Sequence, residues 1–233
     1  MKVQLHATLL FLLLFNVSAT AQFRWGLKAG VQLASLTLLS DTPNESYRGR
    51  IGVQAGLVTD IALSRSLAIQ PSLMASSKGY KYSALFINGN TGTIISTIDG
   101  TVRPFYFELA APVLYRFSAN QRVRFFAGAG PYGAVGVGGK IIQNLAILPA
   151  ESDITFGPSS SYSQFRRFDY GYTVVAGVEL SQLILTANYT NGLAKVTSGY
   201  LRNNPPQTRT IGFTIGFLVG GKSSEQAPVY FEK

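Results

Sequence analysis

The stretch FFAGAGPYGAVGVGGK, residues 125–140, carries Gly128-x-Gly130-x-x-Gly133, the spacing of a glycine loop that cradles a dinucleotide. That chemistry needs a strand-to-helix turn, because the helix N-terminus supplies the N–H groups and partial positive charge that hold phosphate. The next six residues are Ala134-Val135-Gly136-Val137-Gly138-Gly139, and each glycine costs a helix about 1 kcal/mol relative to alanine. Glu151 and Asp153 stand near where a ribose-binding acid belongs, but Pro149 interrupts the segment before them. No helix is expected after Gly133, so the nucleotide reading fails and the glycines need another role.

Other chemistry is equally sparse. The chain has no cysteine, and its one histidine, His6, lies in the leading segment. Thiol catalysis, a cysteine metal site and the usual proton shuttle of neutral pH are therefore missing from the remainder. Carboxylates are left: Asp60, Glu108, Asp169 and Glu179. Each sits in a segment of alternating polarity, where ion pairing is the expected role. No catalytic residue, metal site or cofactor is expected, and the protein reads as non-enzymatic.

The opening MKVQLHATLLFLLLFNVSATAQ has one lysine, an apolar run from Leu9 to Phe15, and Ala19-Thr20-Ala21. It reads as an export signal with an A-x-A cleavage site, its apolar core too short to span a bilayer. Residues 1–21 are expected to be removed. Charged residues make up only 13% of the chain, against about 25% in ordinary soluble domains, which is too apolar for a solvated surface. Beyond the signal no uncharged apolar run reaches the length of a membrane helix. A closed β-barrel is the remaining way to be apolar outside and cross a membrane.

The elements that must carry these residues show themselves by alternation. Trp25, Leu27, Ala29, Val31 and Leu33 alternate with Arg24, Gly26, Lys28, Gly30 and Gln32. Ile51, Val53, Ala55, Leu57 and Ile61 alternate with Arg50, Gly52, Gln54, Gly56 and Asp60. Further alternating segments run over 67–78, 105–117, 123–138, 168–180, 183–193 and 209–218, giving the even number that a bacterial single-chain barrel requires. The opening glycine stretch is the fifth strand. Connections alternate in length: short turns at 63–66, 118–121 and 181–182, and long Gly, Ser, Asn and Pro-rich segments near 36–48, 82–101, 141–167 and 194–208.

This predicts an all-β, eight-stranded antiparallel up-and-down transmembrane β-barrel with short periplasmic turns and long extracellular loops. It occupies 22–218 and is followed by a flexible tail, 219–233. Trp25, Tyr115, Phe117, Phe125 and Phe217 on the turn side, and Phe105, Phe107, Tyr170, Tyr172 and Tyr189 toward the loops, read as interfacial girdles. The polar face, mostly Gly, Ser and Thr with isolated charges, suits a cramped interior. There the glycines are expected to leave room for larger neighbours.

The stretches LAIQPSLMASSKGYKY, FYFELAAPVLYRF, RFFAGAGPYGAVGVGGK, FDYGYTVVAGVEL and NYTNGLAKV, in that order, resemble the PorT-like, porin-family outer-membrane β-barrel domain over nearly the whole chain after the signal. Thr210-x-Gly212-x-x-Ile215-x-Phe217 is similar to the last-strand signal read by the barrel assembly machinery, which is thereby implied as a partner in biogenesis. The tail after that strand is a departure from the pattern. The resemblance implies a Gram-negative outer-membrane location, and some relatives serve protein secretion.

Two groups of residues are expected to matter. Arg24, Asp60, Arg116, Arg122, Arg124 and Glu179 share inward parity close to the turn end, and should close the lumen by ion pairs. Arg48, Arg50, Arg103, Arg166 and Arg167 lie in or beside the long connections. There, Arg forks would meet the phosphorylated headgroups of the outer leaflet, lipopolysaccharide being the expected ligand. Lys78 is counted with these loop cations. The net charge of +9 would suit nucleic acid, but export and the strand pattern exclude it. The expected role is a structural or binding component of the cell envelope. Its alternatives are an accessory component of protein secretion or a small-solute channel, and the tail could dock on a periplasmic protein.

Overall fold

The structure is a computed structural model that describes residues 23–37, 45–87, 91, 93–118, 123–144, 149–157, 165–194 and 207–220. The expected signal (1–21) and the tail from residue 221 onward lie outside the described residues. Every element is a β-strand: β1 (Phe23–Thr37), β2 (Glu45–Ala62), β3 (Leu67–Ile69), β4 (Ser72–Ser77), β5 (Tyr80–Ile87), β6 (Ile94–Ala110), β7 (Val113–Ser118), β8 (Val123–Asn144), β9 (Pro149–Asp153), β10 (Phe168–Leu180), β11 (Leu183–Gly192) and β12 (Gln207–Gly220).

All the pairings between strands are antiparallel, and the sheet closes on itself because β1 pairs with β2 on one edge and β12 on the other. β3, β4 and β5 are successive pieces of one wall strand, as are β6 and β7, while β9 only extends β8. The wall therefore has eight strands. Its breaks have local causes. Pro71 and Pro112 lack N–H groups, but their carbonyls keep the ladder going, accepting from Thr59 N at 2.8 Å and Gln70 N at 3.0 Å. Between β4 and β5, Gly79 takes φ +137, a conformation that side chains other than glycine rarely adopt.

The burial pattern is inverted relative to a water-soluble protein. Trp25, Leu27, Ile51 and Phe213 are 51, 62, 71 and 61% exposed, while Arg24, Gln32, Gln54, Asp60, Glu108 and Glu179 are buried. Strand alternation forces this split, since successive side chains point to opposite faces. An outer wall so apolar is compatible only with lipid. The expected girdle residues Trp25, Tyr115, Phe117, Phe125, Phe217, Phe105, Phe107, Tyr170 and Tyr172 are on that exposed face, and Phe117 stacks on Phe125 at 5.7 Å.

Three expectations are corrected. Most of the segment near 82–101 and part of that near 141–167 are strand: β5 and β6 pair out to Ile87 and Ile94, and β8 and β9 pair from Lys140–Asp153 to Asn144–Pro149. Their loop-like composition is overridden by partner strands running alongside. The last strand continues to Gly220, two residues past Leu218. The glycines, finally, have two roles, of which the expected room for side chains is only one. A Cβ on Gly26, Gly30, Gly52 or Gly56 would lie 1.8–2.0 Å from a carbonyl oxygen of the adjacent strand. Glycine there permits the close backbone approach that a small, strongly coiled barrel needs. Room for side chains, the expected role, is found at Gly100, under the Tyr82 ring, at Gly136, under Phe156, at Gly192, beside Asp169 and Thr208, and at Gly212, beside Gln54 and Asn188.

Candidate functional site: a charge-closed lumen and a cationic rim

At the turn end, Arg24 and Asp60 are register partners across β1 and β2, and Arg124 and Glu179 across β8 and β10. The turns at 63–66 and 181–182 fix the depth of the carboxylates, and inward parity aims all of them at the axis. Arg24 donates from Nη1 to Glu179 Oε1, and from Nη2 to Glu179 Oε2 at 3.2 Å and to Asp60 Oδ1 at 3.3 Å. Asp60 Oδ2 accepts from Arg116 Nη2 and, at 3.4 Å, from Gln70 Nε2. Glu179 Oε1 also accepts from Arg124 Nη2 at 2.5 Å. Five of the six expected ion-pair residues thus meet in one continuous network that spans the lumen. Arg122 lies outside the described residues. Charges buried this deeply persist because each has a partner, and removing one partner leaves the other uncompensated.

A second cluster occupies the outer half. Lys78, which sequence reading grouped with the loop cations, is buried in the lumen. Its inward parity on the strand, continuing Gln70, Ser72, Met74 and Ser76, outweighs its closeness to a connection. Lys78 Nζ lies 3.1 Å from Glu108 Oε1 and 2.5 Å from Tyr132 Oη, and 4.6 Å from the centre of the Tyr132 ring. Ser76 donates to Glu108, and Thr208 to Asp169 Oδ2.

Above this cluster the chain folds back over the mouth. Phe156 packs edge-on against Tyr106 at 5.8 Å, and Ile154 and Phe165 are buried with Val102. Gly157 N donates to Phe165 O, and Ile154 N to Gly139 O. The lumen is consequently covered at the outer end by aromatic side chains and at the inner end by ions. Sequence reading missed this cover. The available signal was two phenylalanines, Phe156 and Phe165, flanking a serine-rich stretch of the connection.

The rim arginines fall into two places. Arg48 is exposed opposite Lys81, Lys81 stands opposite Thr101, and Arg103 is exposed opposite Lys140. Arg50 donates to Ser77 Oγ and the Lys78 carbonyl, both at 3.0 Å, and feels the positive charge of Arg103. Arg48, Arg50 and Arg103 are therefore brought together with Lys81 across β2, β5 and β6. Arg103 shares its face with Phe105 and Phe107 just below it. Lys140 is partly neutralised: its hydrogen bond to Glu151 at 2.9 Å, and then the charge of that carboxylate, hold its ammonium above the ordinary lysine pKa. Arg166 and Arg167 are exposed on the other side of β8, where the Arg167 carbonyl accepts from Gly136 N at 2.7 Å. Among the described residues no group of His, Cys, Asp or Glu is arranged to hold a metal ion.

Among curated proteins no relative matches this chain. Among solved structures it is similar to Neisserial surface protein A, at 14% identity over 86% of this chain and 99% of that one, with a TM-score of 0.47. It is also similar to the outer membrane protein OprG of Pseudomonas aeruginosa, at 10% identity over 86% and 98% with a TM-score of 0.44, and to the attachment invasion locus protein Ail of Yersinia pestis, at 12% identity over 85% and 99% with a TM-score of 0.41. The model of the outer membrane protein beta-barrel domain matches residues 16–198, most of the chain and nearly all of its wall strands, and the protein belongs to that outer-membrane family.

Proposed function

We propose that this protein is a non-enzymatic, closed barrel of the Gram-negative outer membrane, exported with a cleaved signal peptide, that acts as a binding component of the envelope through its outer rim. The ligand is the phosphorylated headgroup region of lipopolysaccharide. The observation that carries this reading is the cationic row Arg48, Arg50, Lys81 and Arg103 on adjoining strands, immediately above the outward aromatic pair Phe105 and Phe107. Cations at that height face headgroup phosphates, which Arg binds with two parallel hydrogen bonds. Single exposed contacts are weak, so affinity builds through several together.

The test is co-purification of lipopolysaccharide at low salt with the wild type and with Arg48, Arg50, Arg103, Arg166 and Arg167 all changed to glutamine. The wild type should retain several-fold more. Equal retention would overturn the lipid reading. It would move the function to a protein partner, as in the secretion-linked members of the PorT-like group that the chain's strand sequences resemble.

A further inference from the structure

Lys28 faces the lumen from the middle of β1, between the outward Leu27 and Ala29. Among the described residues it makes no hydrogen bond or ion pair. The carboxylate that acts on its charge is Glu108, which is already committed to Lys78 and Ser76. In the other direction lies the arginine network. The inward cations include Arg24, Lys28, Lys78, Arg116 and Arg124, with the part-buried Arg50 on the same parity, against the carboxylates Asp60, Glu108, Asp169 and Glu179. Cations therefore outnumber carboxylates in the described lumen, and Lys28 has no carboxylate within ion-pair distance. Buried charges without compensation are costly, and proteins pair them or bind a counter-ion.

Two more polar groups, on the next inward row from Lys28, lack partners. Gln54 Nε2 and Thr186 Oγ1 are buried with no hydrogen bond. Gly30, the next inward position after Lys28, is the register partner of Gln54 on one side and Thr214 on the other, and Thr214 is the partner of Thr186. Across from them, a Cβ on Gly212 would lie 2.5 Å from Gln54 Nε2 and 2.6 Å from Asn188 Oδ1, so both amide ends converge over a residue without a side chain. Lys28, Gly30 and Asn188 are only half-buried although all three face inward. The space before them thus admits a particle at least the size of water.

We propose that this mid-lumen space is a binding site for one small monovalent anion of halide size, held by the Lys28 ammonium, the Gln54 amide N–H and the Thr186 hydroxyl. The donors and the charge set the class of ligand. Ammonium and amide groups offer N–H toward a negative centre, and a single unpaired ammonium suits a monoanion rather than phosphate. The ion network and the aromatic cover exclude larger solutes. Arg124, whose side chain is 23% exposed, leaves the turn end as the route for a small ion.

The test uses the full chain refolded in detergent. Crystals grown in sodium bromide should show an anomalous peak beside Lys28 Nζ that is missing from Lys28→Met. In solution, replacing gluconate by bromide at constant ionic strength should raise the wild-type Tm by about 2–4 °C, as for a ligand bound only by the folded state. That response should vanish in Lys28→Met and shrink in Gln54→Leu, which keeps the test available should the first variant fold poorly. Absence of a bromide peak in the wild type, or the same bromide response in either variant as in the wild type, would mean a neutral lysine beside water and would overturn the site.

Discussion

Glu179 accepts from two arginines on different strands, Arg24 on β1 and Arg124 on β8, so one substitution takes the carboxylate from Arg124 and leaves Arg24 with Asp60 alone. Glu179→Ala should cost about 3–5 kcal/mol, the range for a broken buried pair, read as a lower midpoint in denaturant melts of the detergent-refolded protein. Glu151→Ala, which removes the exposed partner of Lys140, should leave that midpoint unchanged, because solvent screens such a pair. The membership of this network was legible in the sequence because parity and distance from a turn fix both the face and the depth of a residue. Lys78 was misplaced for the complementary reason. Nearness to a connection says nothing about which way a strand residue points, and Glu108, its partner, lies on another strand whose register the sequence does not print.

At the scale of elements, the glycines separate two physical roles that sequence cannot tell apart. A Cβ on Gly30 would lie 1.9 Å from Phe213 O and 2.7 Å from Thr214 Cα, whereas one on Gly133 would meet nothing within 4 Å. Gly30→Ala should therefore lose at least the roughly 1–3 kcal/mol of an overpacked site. Gly133→Ala should be neutral or gain up to about 1 kcal/mol by restricting the unfolded chain. Comparing the heat-induced shift in gel migration of the two variants checks this. The reverse order, with Gly133→Ala the weaker, would contradict the close-approach role. Strand number, faces and the short turns at 63–66 and 181–182 were readable from alternation, while most of the turn expected at 118–121 lies outside the described residues. The extension of β5, β6 and β8 beyond the wall was not, because those segments are held as strand by their neighbours rather than by their own composition.

Taken whole, the molecule is a tube with an inverted surface and two different stoppers, ionic at the turn end and aromatic at the outer end. Eight strands enclose an interior that side chains can fill, whereas aqueous channels need about sixteen. In planar bilayers the wild type should give no steady conductance of nanosiemens size, and persistent openings of that size would contradict the closed lumen. The architecture was legible because membrane lipid imposes a period-two code on every wall strand. The outer stopper was not, since it comes from a connection, where no such code operates.

The pairing of β1 with β12, from Arg24–Gly220 to Thr37–Gln207, joins the two most distant strands of the sequence. Neighbouring hairpins can zip locally, but this seam cannot form until the final strand has been made and delivered, so it is the step with the greatest loop-closure cost. Until then the growing sheet presents two open edges of unpaired backbone groups, a state prone to aggregation in water and intolerable in lipid. Ring closure is thereby the kinetic commitment of the whole chain. A factor that shelters the edges of β1 and β12 until they meet acts at the one point in folding where the sequence has no local means of protecting itself.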